Sequence, residues 1–112
     1  MHLKNITFDA HDPQRLASFW AAATGNTLAA STAFFASLDP AAGGPMWLFL
    51  AVPENKTAKN RVHLDFHTAD RPSEVARLVG LGATEHGTRT EWGVEWTVLR
   101  DPEGNEFCVA AD

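Results

Sequence analysis

The segment His63-x-Asp65-x-His67 sets three titratable side chains at alternate positions, the spacing that puts them on one face of a strand. An imidazole beside a carboxylate is the material of general acid-base catalysis and of metal ligation. Geometry limits what the trio does as a unit. Residues two apart on a strand are separated by about 6.5 Å and residues four apart by about 13 Å, so parallel side chains do not bring both histidines to one ion. His63 with Asp65 can cooperate, and so can Asp9 with His67 if their strands are neighbours, as the fold suggested below would have it. His63 and Asp65 are therefore the candidate catalytic pair. The competing reading is a polar rim on an open sheet face, hydrogen-bonded to water or ligand.

Aromatic side chains are the second resource, with four tryptophans in the chain. Trp20 falls at helical spacing and belongs in a core. Trp47 and Phe49 lie in a continuous apolar run, where periodicity does not say which face they take. If Trp96, Val98 and Arg100 share an open face, they offer an aromatic wall and a cation to a planar or anionic ligand. Alternation leaves open which of Phe34 and Phe35, and which of Trp92 and Trp96, faces such a pocket. Cys108 stands between Phe107 and Val109, a setting for a buried, inert thiol rather than a nucleophile. The serines lack a G-x-S-x-G context, and the glycines at 80 and 82 follow a helix rather than a strand, which rules out a phosphate loop.

The elements that must carry these residues come in two copies. A shift of 58 positions lays Asn5-Ile6-Thr7-Phe8-Asp9 on His63-Leu64-Asp65-Phe66-His67, and Asp12 on Asp70. Both segments alternate polar with apolar, the pattern of a strand with one buried face, so Ile6, Phe8, Leu64 and Phe66 point inward. Each is followed by an acid placed to cap a helix and a proline in the first turn, Asp12-Pro13 and Asp70-Arg71-Pro72. Leu16, Phe19, Trp20 and Ala23 form one helical stripe, and Val75, Leu78, Val79 and Gly82 the other, with Gly25 and Gly82 marking the ends. Three strands per half follow. In the first half they are expected near 27–30, 32–38 and 46–52, and in the second near 84–87, 92–100 and 105–110, the last two joined by the turn Asp101-Pro102-Glu103-Gly104. The polar stretch Pro53 to Asn60 reads as a linker, too short to make the halves independent domains, so one domain spans 1–112.

Composition narrows the partners. Hydrophobic residues at 45% and charged residues at 21% describe a globular chain. A net charge of -5 with no basic stripe argues against nucleic acid. One cysteine makes no internal disulfide, the start is too polar for a signal peptide, and no apolar run approaches a membrane span. A cytoplasmic protein without a membrane partner is expected.

A βαβββ unit repeated twice in this length resembles the vicinal oxygen chelate superfamily, which includes glyoxalase I, extradiol dioxygenases and bleomycin resistance proteins. The resemblance spans the chain and is carried by ITFDAHDPQRLASFW at the start and DPEGNEFCV at 101–109. RVHLDFHTAD with WTVLRDPEGNEFCV is similar to the small actinobacterial-type glyoxalase-like domains. It implies an α+β fold of two βαβββ modules, a curved mixed sheet with helices on its outer face, around a small-molecule pocket. In metal-dependent members, ligands come from the first, fourth, fifth and eighth strands. Here those positions fall on Asn5, on Trp47-Leu48-Phe49-Leu50 with no carboxylate in any register, on His63 and on Cys108. One matched ligand and one possible thiolate fall short of a divalent site, so no cofactor is expected, with a degenerate metal site through His63 kept as the alternative. The leading expectation is a metal-free protein that sequesters or presents a partly aromatic organic ligand, forming a homodimer as the bleomycin resistance branch does. Its ligand-facing residues would be Asn5, Thr7, Asp9, Trp47, Phe49, His63, Asp65, His67, Trp96, Arg100 and Cys108. The runner-up is a superfamily enzyme, a lyase, isomerase or dioxygenase-like protein, using His63 and Asp65.

Overall fold

Local signals place the helices. In the computed structural model, which describes residues 1–112, the Asp12 carboxylate accepts the Arg15 amide at 3.2 Å and starts α1 (Pro13–Thr24). Asp70 does the same for the Ser73 amide at 3.1 Å and starts α2 (Arg71–Leu81). Each satisfies one of the amide donors that a helix start leaves without a partner. Both helices stop at the expected glycines, and Gly25 takes a φ of 78°, the left-handed conformation that favours glycine.

The chain divides into two compact units, Met1–Asn55 and Lys56–Asp112. The first holds β1 (Asn5–Ala10), α1, β2 (Thr27–Ser31), β3 (Phe35–Asp39) and β4 (Met46–Ala51). Its sheet has the order β1-β4-β3-β2, with β1 parallel to β4 and the other pairs antiparallel. The second holds β5 (Leu64–Thr68), α2, β6 (Thr84–Glu91), β7 (Val94–Arg100) and β8 (Glu106–Ala111), in the order β5-β8-β7-β6 with β5 parallel to β8. The repeat read from the sequence is thus a repeat of topology, two four-stranded mixed sheets each with its helix.

The first core is aromatic. Trp20 of α1 lies 5.9 Å from Phe8 and 5.3 Å from Trp47, ring centre to ring centre, and Phe8 lies 5.1 Å from Phe49. Leu16, Trp20, Leu38 and Phe49 are all but closed to solvent, each contributing about 1.5–3 kcal/mol of burial. In the second unit Val75 and Leu78 of α2 are buried, as are Leu99, Phe107 and Val109 of the sheet, while Val79 is exposed, so the apolar stripe of α2 is narrower than its spacing suggests. The hydroxyl of buried Thr97 accepts from Arg71 Nη1 at 2.6 Å and meets Thr88 Oγ1 at 2.9 Å. That bond ties the start of α2 to β7.

Three boundaries differ from the sequence expectation by more than one residue. β3 begins at Phe35 rather than 32, because the Thr32 hydroxyl accepts the amides of Phe34 and Phe35 and turns the chain there. β6 runs to Glu91 rather than 87, although every residue in it is exposed and none shows an apolar period. It extends because Trp92 and Gly93, at φ 51° and 75°, close a two-residue hairpin in which Glu91 pairs with Val94. Trp92 is consequently a turn residue and not the first residue of β7.

Candidate functional site

Strand alternation gives each sheet a face turned to its helix and a face left open. In the second sheet the helix-facing rows hold Leu64 with Phe107 and Leu99, and Phe66 with Val109 and Thr97. The open rows hold Asp65 with Cys108 and Val98, then His67 with Ala110, Trp96 and Arg89, then Glu106 with Arg100 and Thr84. Chemistry gathers on this open face.

His63, immediately before β5, brings Nδ1 to 3.1 Å from Asp65 Oδ1. Cys108 is the strand partner of Asp65, and the ligating atoms of His63, Asp65 and Cys108 all lie within 4.8 Å of one another. Burial first, and then the charge of Asp65 and a hydrogen bond to it, push the Cys108 thiol up to about 11. The thiol therefore stays protonated near neutrality and donates to the carboxylate. The resemblance put Cys108 and His63 at ligand positions of one site; Asp65 joins them although it occupies no ligand position in the superfamily pattern.

The donor set can be tested against a divalent ion. Nitrogen, oxygen and sulfur at this separation match the size of a zinc site. Their present bonds do not suit one: Asp65 accepts from both neighbours, and a cation would have to displace those contacts and strip a proton from a thiol held well above its usual range. No further acid or histidine joins the three. As they stand, the three make a hydrogen-bonded polar cluster.

Beside this cluster the same face carries a hollow of about 450 Å³, lined by Val98 and Arg100 of β7, His86 and Arg89 of β6, the segment Lys56 to Lys59, and Gly104 and Glu106. Lys59 Nζ reaches Glu106 Oε2 at 2.6 Å, which lowers the carboxyl below its ordinary range. The Asn60 side-chain oxygen accepts the Glu106 amide at 3.1 Å, fixing the Lys56 to Asn60 segment onto the second unit. The turn below is rigid because Asp101, nearly closed to solvent, accepts the amides of Glu103 at 2.9 Å and Asn105 at 3.0 Å. Of the lining, Arg100 was among the expected site residues and Val98 was expected to share its face. Lys56, Lys59, His86 and Arg89 were missed, and the two lysines of the polar linker were the signal that could have found them.

The remaining expectations divide. Trp96 is half-buried and Arg100 exposed on the open face, while His67 is exposed one row from the cluster. In the first sheet Asn5, Thr7 and Asp9 share the face opposite Ile6 and Phe8, together with Phe35 and Leu50, so Phe35 rather than the loop residue Phe34 is the open-face ring. The Asn5 Oδ1 is buried without a hydrogen-bond partner, a cost that a donor on a ligand would remove. Two expectations fail. Trp47 and Phe49 pack with Phe8 and Trp20 in the core, at 8% and 0% exposure, because their register with Ile6 and Phe8 turns them to the helix side. Asp9 and His67 are not joined by a strand ladder, since β1 hydrogen-bonds to β4 and β5 to β8 in separate sheets.

Comparison with known proteins agrees with this topology. The model of the glyoxalase-like domain family matches residues 5–110. A glyoxalase/bleomycin resistance protein/dioxygenase family enzyme from Burkholderia phytofirmans PsJN superposes with a TM-score of 0.81 at 20% identity, over 99% of this chain and 98% of that one. The lactoylglutathione lyase of Agrobacterium tumefaciens gives 0.68 at 15% identity, over 97% and 92%. A bleomycin resistance determinant encoded on the transposon Tn5 gives 0.67 at 16%, over 100% and 98%. No curated protein matches the sequence. With a family match that runs from the first strand to the last, and a fold shared with these glyoxalase/bleomycin resistance/dioxygenase structures, the chain belongs to the glyoxalase-like domain family.

Proposed function

We propose that this protein binds a small, partly aromatic organic molecule on the open face of its second sheet, without a resident metal, and so sequesters or presents it in the manner of a bleomycin resistance protein. The observation that carries this reading is the hollow beside Val98 and Arg100, whose size falls among those of small-molecule sites. Trp96, half-buried one row away on the same face, supplies an aromatic surface. The reading includes a cytoplasmic location, for which the supporting fact is that no helix is long and apolar enough to cross a membrane. It also includes a homodimer: Phe35 and Leu50, strand partners on the open face of the first sheet, are 39% and 38% exposed, and a second copy would cover them.

A catalytic reading is favoured by one observation, the 3.1 Å contact of His63 with Asp65, which orients an imidazole for proton transfer. Tryptophan fluorescence titration across aromatic metabolites and antibiotics tests binding. Quenching is expected, with the small molecule recovered unchanged. Product formation lost in His63→Ala would establish the enzyme instead, and silence across a broad panel would defeat both readings.

A further inference from the structure

The chain is acidic overall, with 9 bases against 14 acids and a net charge of -5. The hollow reverses that balance. Lys56, Lys59, Arg89 and Arg100 line it against the single acid Glu106. Lys59 is matched to Glu106, and Lys56 Nζ donates within its own loop, to the Ala58 carbonyl. Arg89 and Arg100 enter none of the ion pairs of the structure, although the charge of Arg100, like that of Lys56, reaches Glu106 through space. Asp65, the other acid of the open rows, is engaged by His63 and Cys108. An excess of four cations over one acid on a small concave surface raises the local potential for anions. Guanidinium groups in particular offer paired donors that match carboxylate and phosphate oxygens. Arg89 is also the strand partner of Trp96, which puts a cation next to a ring.

We propose that the hollow selects an aromatic organic anion of two negative charges, a phosphate monoester or a dicarboxylate, whose charged end is taken by Arg89 and Arg100. This rests on the binding function proposed above and names the chemical class of its guest. The Lys56 to Lys59 segment closes the same site from the side, so that what joins the two units in sequence also forms a wall of the pocket.

Calorimetric titration of the full chain with phenyl phosphate, phthalate, benzoate, benzamide and benzylamine tests it. The two dianions bind tightest, benzoate binds more weakly, and the neutral and cationic probes bind weakest of all. Raising the salt concentration weakens the dianions most. Arg89→Gln and Arg100→Gln each weaken phenyl phosphate by roughly tenfold or more, the worth of a charge-assisted hydrogen bond, while their circular dichroism spectra stay as in the parent. If benzamide or benzylamine binds as tightly as phenyl phosphate, or if both variants keep the parent affinity for it, the anion assignment is overturned while small-molecule binding stands. If no probe binds, the assignment and the function beneath it fall together.

Discussion

Asp65 and Cys108 face one another across the parallel β5–β8 pair, and the carboxylate takes the thiol as a hydrogen-bond donor while its charge opposes ionisation of that thiol. The thiolate is the reactive form. Alkylation of Cys108 by iodoacetamide should therefore be slow at neutral pH and accelerate up to a midpoint at about 11. Asp65→Asn removes the charge and should lower that midpoint, with burial still holding it above 9.0. A midpoint that Asp65→Asn does not move would show that the carboxylate has no part in it.

The same proton links folding to alkaline pH. The folded thiol keeps its proton up to about 11, whereas the unfolded chain gives it up near 9.0. This contribution to stability is fully present below 9 and is lost as pH rises through about 11. With no tyrosine in the chain, fewer other groups titrate in that window. Urea denaturation of the parent and of Cys108→Ala should give a stability difference that shifts against the parent across it. A difference that stays flat would contradict the assignment.

Trp20 carries the first core. Its ring contacts Phe8, Phe19 and Trp47, and it is 2% exposed. Trp20→Ala should cost about 3–5 kcal/mol in chemical denaturation, the sum of lost transfer energy and the cavity left behind. A loss of the size expected for a surface residue would mean that the aromatic cluster is not the core.

Trp92 should behave in the opposite way. It is 89% exposed and holds a φ of 51° at the tip of the β6–β7 hairpin, next to Gly93. Asparagine tolerates that conformation and suits the first position of such a turn. Trp92→Asn should raise stability by up to about 1 kcal/mol. Destabilisation by that amount would reveal packing that the exposure of Trp92 does not suggest.

The extent to which the fold could be read from the sequence follows from how local each signal is. Asp12, Asp70, Gly25 and Gly82 act within one helical turn, and each bounds its helix as read. The alternation of β1 and β5 is equally local, and the inward set Ile6, Phe8, Leu64 and Phe66 follows from it. The run Met46 to Ala51 has no polar residue to set its phase, so only its pairing with Ile6 and Phe8 shows that Trp47 and Phe49 are core. β6 is polar and exposed throughout and exists by virtue of its hairpin partner. His63 and Asp65 were legible because they are two residues apart. Lys56, Arg89 and Arg100 were not legible as a group, because Arg89 and Arg100 lie on separate strands of a hairpin and meet the distant 56–60 segment only through strand pairing and the docking of that segment.

On the function proposed here, the open face of the second sheet accommodates an organic guest without a metal ion. Full-length protein incubated in turn with zinc, nickel, manganese and iron, dialysed and then assayed for metal content, tests it most directly, with His63→Ala alongside. Neither protein is expected to retain a stoichiometric amount of any of the four. One equivalent held by the parent and absent from His63→Ala would contradict it.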